Sequence, residues 1–218
     1  MARASTYFFD GNDKEKQTLH RRIRPSEAQF QEQQDRWNAL KDALLPALSE
    51  ETGHTTKSWL QGSYKFGTQI RPIQPGGEFD IDLGVYFCWA GSPEDGRHGP
   101  QALKEFAQDG LLAFQRDNDD VLEVVDPPKA RCCRIRFEGD FHIDVPVYHL
   151  EEEADARSLA TEDNEWENSD PKAFYLWFTA KFDDYRRDRV RRLIRYLKAW
   201  VALTFDDSEE PPPSVRRK

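Results

Sequence analysis

Two aspartates, Asp80 and Asp82, stand inside the apolar stretch EFDIDLGVYF. A β-strand alternates its faces, so residues two apart project together. Ionised carboxylates that close repel one another, and withdrawal from water raises the cost. A divalent cation between them removes the objection. One or two carboxylates plus substrate phosphates make the oxygen set that Mg²⁺ prefers. The D-x-D spacing alone is cheap in an acidic chain. Asp117-Asn118-Asp119 provides an internal control, set among polar residues and read as a solvated loop.

A third aspartate, Asp144, lies in the apolar stretch FHIDVPV. ARCCRIRF and FHIDVPVYHL are expected to form a hairpin turning at Glu138-Gly139-Asp140. Phe137 then pairs with Phe141, and Arg134 faces Asp144 across the strands. That pair is either structural or a third metal ligand beside a phosphate-binding arginine. Three strand-borne aspartates around two Mg²⁺ ions suit in-line phosphoryl or nucleotidyl transfer: the ions acidify the attacking hydroxyl and stabilise the leaving pyrophosphate. QGSYKFGT offers a place for the phosphates, a glycine turn that exposes backbone N–H groups and the Ser63 hydroxyl. Standing alone it is an ordinary turn with Ser63 as a helix cap. Arg191, Arg195 and Lys198 recur at helical spacing and form a basic stripe, which is either a solvated face or a second grip on phosphate.

The elements that must carry these residues are legible in outline. PSEAQFQEQQDRWNALKDALLPALSE reads as a helix opened by a Ser26–Gln29 capping box. KSWLQGS reads as a short strand ending at Gly62, RPIQPGG as a loop, and EFDIDLGVYFCWA as a strand. A helix over QALKEFAQDGLLAFQRD and a strand at VLEVV precede the hairpin. Residues 1 to 24 read as a loose polar arm, and residues 151 to 168 as a solvated acidic segment. Ser169 or Asp170 opens a helix with Pro171 as its first residue. A final helix spans about 184 to 204, with Val190, Leu193, Ile194, Leu197, Trp200 and Val201 in one apolar stripe.

The chain has 218 residues, 38% of them apolar and 12% aromatic, enough for one unit with a real core. Its net charge of -9 disfavours long nucleic acids, whose binding asks for a basic balance, and leaves small phosphorylated ligands bound with cations open. No apolar run is long enough to span a membrane, and no secretory signal opens the chain. Three cysteines, two of them the neighbours Cys132 and Cys133, form no disulfide framework, so a reducing cytoplasm is expected. The vicinal pair reads as small strand residues.

WLQGSYKFGTQIRPIQPGGEFDIDLGVY, HIDVPVY, NSDPKAFYLWF and RLIRYLKAW, in that order, resemble the bacterial CD-NTases. These are polymerase-β-like nucleotidyltransferases related to animal cyclic GMP-AMP synthase. They make cyclic di- and trinucleotides in the anti-phage systems called CBASS. The resemblance implies an α+β palm, a mixed twisted sheet with flanking helices, and a helical C-terminal lobe. It divides a single unit over 1–218 into an N-terminal helix at about 26–49, a catalytic palm at about 50–150 and a helical flank at about 169–205. It implies that Asp80, Asp82 and Asp144 hold two Mg²⁺ ions, with Mn²⁺ as a substitute. Gln61 and Ser63 would contact the donor triphosphate, Phe66 a nucleobase, Arg134 and Ser169 the nucleotide, and Lys198 the donor phosphates.

By the same resemblance, ATP and/or GTP are the substrates, CBASS accessory proteins are candidate partners, and the product acts on a separate effector. PPPSV resembles the start of the family's C-terminal lobe, so Ser214 is expected to open a helix and the lobe is read as truncated at Lys218. Two other readings stay open: a nucleotidyltransferase that modifies a protein, a tRNA end or an antibiotic, and a non-catalytic remnant that binds nucleotide or a partner.

Overall fold

The computed structural model describes residues 4–11, 18–74 and 76–205. Ser214 and the PPPSV segment lie outside them.

Among the described residues, eight strands form one mixed sheet. They are β1 (Thr55–Gln61), β2 (Phe79–Cys88), β3 (Val121–Val124), β4 (Cys133–Phe137), β5 (Phe141–Val145), β6 (Val147–Glu151), β7 (Ala156–Ala160) and β8 (Trp166–Asn168). The six α-helices among the described residues are α1 (Leu19–Ile23), α2 (Glu27–Thr52), α3 (Gly62–Phe66), α4 (Pro100–Asp117), α5 (Pro171–Lys181) and α6 (Asp184–Thr204). β2 is the spine. It pairs antiparallel with β1 and parallel with both β5 and β6. Phe79 faces Phe141 and Val85 faces Val147, the same offset on either side of Pro146, so β5 and β6 run as one strand interrupted by a proline that cannot donate to the ladder.

The strand pattern assigns the two faces. Phe79, Ile81, Leu83, Val85 and Phe87 point to the main core, where they meet Leu40, Leu44 and Leu48 of α2 and Leu103, Ala107 and Leu111 of α4. Each such fully buried side chain contributes about 1.5–3 kcal/mol of transfer free energy. Asp80, Asp82, Gly84 and Tyr86 therefore face the other side. α2 begins with the expected capping box, Ser26 and Gln29 satisfying one another's backbone N–H groups, and ends at Gly53 in the left-handed region.

Three expectations need correction. The arm is not loose where it is described: Tyr196 Oη of α6 donates to Phe8 O at 2.9 Å, and His20 and Ile23 are buried. The acidic segment holds β7 and β8. Arg157 and Leu159 are buried there, and β7 pairs with β6. The stripe on α6 splits: Leu193 58%, Leu197 62% and Trp200 53% are exposed, while Val190, Ile194 and Val201 are partly buried. Asp117-Asn118-Asp119 forms the end of α4 and a turn, with both aspartates exposed, as a solvated loop should be. No helix among the described residues is long and apolar enough to cross a membrane.

Candidate active site

Strand register lines up four side chains in one row. Gln61 of β1 pairs with Asp82 of β2, Asp82 with Asp144 of β5, and Asp144 with Arg134 of β4. Phe137 pairs with Phe141, the register the hairpin pattern predicts. A second row lies two residues away: Asp80 of β2, His142 of β5 and Arg136 of β4. Asp82 and Asp144 are thus direct neighbours with Arg134 on the far flank, and His142 stands between Asp80 and Arg136; the cationic and imidazole groups lower the cost of crowding acids on this face.

Arg134 grips Asp144 with two guanidinium nitrogens, Nε on Oδ1 and Nη2 on Oδ2, the latter at 2.7 Å. Burial opposes the Arg134 charge, but the Asp144 hydrogen bonds and charge outweigh it and raise the arginine's pKa above its usual value. His142 was not singled out from the sequence. Its ring nitrogens lie 2.7 Å from Glu78 Oε2 and 3.0 Å from Asp80 Oδ1. Arg136 in turn holds Glu78, with Nε at 2.7 Å from Oε1. Burial raises the Glu78 pKa, and hydrogen bonds from Arg136 and His142 more than reverse that, leaving it below the ordinary value. The signal was present in HID, but the parallel pairing of His142 with Asp80 is needed to interpret it.

One ligand atom from each of Asp80, His142 and Asp144 lies within 4.8 Å of the others. Asp82 stands beside Asp144 in the ladder. Two carboxylates and an imidazole in this arrangement, with Asp82 alongside, fit a divalent cation.

The side of the site next to β1 is built around α3. Gly62 adopts φ 56°, and a Cβ there would fall onto Asp82 Oδ2 and lie 2.8 Å from Asp82 Cγ. Glycine is therefore required twice, for the backbone conformation and for the approach of the aspartate. α3 closes at Gly67 with φ 66°. Its last turn is held from behind by α6: Arg191 Nε donates to Phe66 O at 2.8 Å, and Arg195 Nη2 donates to Gly67 O. Two members of the basic stripe thus act as struts, and Lys198 is the member that lines the cavity in front.

That cavity, of about 490 Å³, is lined by Gln61, Ser63, Phe66, Asp82, Phe174 and Lys198, among others. The carboxylate row and the cavity meet at Asp82. Phe66 lines the cavity while packing against Phe174, Tyr175 and Phe178 of α5, with ring centroids 5.3–5.4 Å apart. The Gln61 amide is occupied on both ends, donating to Tyr86 Oη at 2.9 Å and accepting from Tyr148 Oη at 3.1 Å. Ser169 sits at the Tyr148 hydroxyl, not in the cavity lining. α5 itself is anchored by its N-cap Asp170, which accepts from Ala173 N at 2.8 Å and from the buried Arg157 at 2.9 Å.

A palm sheet that presents a cluster of strand aspartates beside a serine-bearing turn defines a nucleotidyltransferase of the polymerase-β-like class. Comparison with known proteins narrows this. Residues 56–148 match the nucleotidyltransferase domain of cyclic GMP-AMP synthase DncV-like proteins. The cyclic GMP-AMP synthase of Escherichia albertii is 32% identical over 193 residues, covering 88% of this chain and 42% of that protein. The c-di-GMP synthase of Roseivirga ehrenbergii is 28% identical over 213 residues, covering 82% of this chain and 53% of that protein. Among solved structures, the Vibrio cholerae di-nucleotide cyclase DncV in complex with ATP and GTP shares the fold, with a TM-score of 0.76 at 21% identity, over 87% of this chain and 66% of that one. The chain thus carries a nucleotidyltransferase domain of the DncV-like family. It spans about half the length, or less, of these curated relatives.

Proposed function

We propose that the chain carries the catalytic palm of a Mg²⁺-dependent synthase that joins ATP and/or GTP into a cyclic di- or trinucleotide, used as a second messenger in CBASS anti-phage signalling. The carrying observation is the row Asp82–Asp144–Arg134, flanked by Asp80–His142, which opens onto a cavity shared by Ser63 and Lys198. Asp80, Asp82 and Asp144 would hold the metal. When bound, it supplies charge neutralisation for the triphosphate and acidifies the acceptor hydroxyl. Ser63 and the first N–H groups of α3 receive the phosphates of the donor nucleotide. Lys198 adds a cation from the opposite wall. Asp144 is positioned to take the proton of the attacking hydroxyl, and Arg134 fixes its orientation through the paired hydrogen bonds. Phe66 and Phe174 offer aromatic surface to a base.

The test is incubation with all four nucleoside triphosphates and Mg²⁺, followed by mass spectrometry. A cyclic product that vanishes in Asp80→Ala and Asp82→Ala supports the reading. Label transferred to a protein or RNA instead of a small product overturns it. One observation favours a second reading, a nucleotide- or partner-binding unit without turnover: Phe174, which lines the cavity, and Trp177, Leu197 and Trp200 of the same two helices, α5 and α6, are all about half exposed or more. Metal-dependent ATP binding without product from any nucleotide mixture supports that reading over the first.

A further inference from the structure

At Gly67, where α3 closes, a second cavity of about 380 Å³ is lined by Arg24, Arg191, Arg192, Arg195, His20 and Phe9, among others. Asp188 is the one acidic residue among its described lining residues, and it pairs with Arg191 at 3.2 Å. Four guanidiniums therefore face one carboxylate. Arg192 lies over the Phe9 ring at 4.1 Å, which holds it against the cavity wall. The buried Arg195 Nε and His20 Nδ1 have no hydrogen-bond partner among the described residues. Burial, reinforced by Arg24, Arg191 and Arg192, pushes the Arg195 pKa down to about 10, so the group is still charged at neutral pH and the repulsion persists. Burial, followed by the charges of Arg195, Arg24, Arg192 and Arg21, pushes His20 down to about 4, so it adds a polar ring and no charge at neutral pH.

Converging arginines with unused donors form a receptor for oxyanions, because the planar guanidinium matches a phosphate edge with two parallel hydrogen bonds. The net positive charge calls for a multivalent anion, and the cavity is far larger than the roughly 30 Å³ a water occupies. We propose that this cavity binds a compact multivalent oxyanion of the pyrophosphate class, at a site separate from the triphosphate cavity in front of α3. Arg191 and Arg195 connect the two, since each also holds a backbone carbonyl of the turn that follows Ser63. The proposal stands independently of the catalytic reading.

Calorimetric titration with sodium pyrophosphate in metal-free buffer, at constant ionic strength, tests it. The expected result is saturable binding that weakens at least tenfold in Arg24→Gln/Arg192→Gln, two residues that do not hold the turn. Ser63→Ala/Lys198→Ala should leave binding within threefold. Loss in the Ser63→Ala/Lys198→Ala variant with retention in Arg24→Gln/Arg192→Gln would assign the anion to the front cavity and overturn the proposal. So would heats no greater than those of a chloride blank. Arginine footprinting of the wild-type protein with phenylglyoxal guards against a misfolded variant: pyrophosphate should protect Arg24 and Arg192, and equal modification with and without it refutes the site.

Discussion

Gly62→Ala separates the two demands that the site places on one residue. At φ 56° an L-residue costs about 1–2 kcal/mol relative to its preferred conformations. Part of this is offset, by about 0.4–1 kcal/mol, because alanine also restricts the unfolded chain. The backbone alone therefore accounts for roughly 1 kcal/mol, a fall in Tm of about 2–4 °C for a chain of this size. The second demand is spatial. The new methyl would overlap Asp82 Oδ2 and stand 2.8 Å from Cγ, so the carboxylate must swing away by about 1 Å to restore ordinary contact. Misplacement on that scale costs on the order of 10²-fold in rate. The expected variant is thus folded, slightly less stable and almost inactive. Urea denaturation gives the stability, and product formation from labelled ATP and GTP gives the rate. A double-mutant cycle with Asp82→Ala isolates the clash: in that background the methyl meets no carboxylate, so the stability cost of Gly62→Ala should shrink to the backbone share. Activity within threefold of wild type, or an unchanged cost in the Asp82→Ala background, would refute the reasoning.

His142→Asn should weaken Mn²⁺ binding, read by electron paramagnetic resonance, by about 10–100-fold while Tm moves little, because the ring orients Asp80 without forming part of the main core. The low His20 pKa predicts acid sensitivity. Its folded value of about 4 lies below the unfolded value near 6.5, so the unfolded state binds the extra proton. Stability should be level above about pH 6.5 and fall as pH drops towards 4, by up to roughly 3 kcal/mol, and His20→Asn should flatten that slope in urea titrations across the window. The thiols should be inert: burial pushes Cys88 up to about 11 and Cys132 and Cys133 up to about 12. Iodoacetamide at pH 8 should label native protein at least about a hundredfold more slowly than denatured protein, and rapid native labelling would contradict the burial.

The carboxylate row was readable because every step in it is local. Strand alternation puts Asp80 and Asp82 on one face. A short hairpin turn, with Gly139 and Asp140 at positive φ, then sets Arg134 opposite Asp144. What was missed depends on distant pairing. His142 acquires meaning only when β5 lies parallel to β2, and Tyr196 reaches Phe8 across almost the whole chain. β7 and β8 were masked by their acidic surroundings: Arg157 is buried because Asp155 and Asp170 neutralise it, a pairing that composition cannot reveal. On α6 the period of the apolar residues was correct, but periodicity defines a face without naming what covers it. The two struts, Arg191 and Arg195, were indistinguishable in sequence from Lys198, because their carbonyl partners lie on another helix.

The division of labour on α6 follows from this geometry. Its arginines and its lysine share a helix, yet they address opposite sides of α3. A guanidinium offers several donors in one plane, so Arg191 can donate Nε to Phe66 O and still pair Nη1 with Asp188. An ammonium has three donors around a single atom and suits a mobile phosphate better than two fixed oxygens. Lysine at 191 or 195 would keep the charge but could not hold a carbonyl and a second acceptor in fixed directions. The turn that presents Ser63 would then lose its backing while Lys198 still attracted phosphate, so nucleotide would bind in a less defined pose. The basic stripe, which looks uniform in the sequence, is therefore divided: Arg191 and Arg195 hold the carbonyls that close α3, and Lys198 lines the cavity in front of it, where the proposed function puts the phosphates.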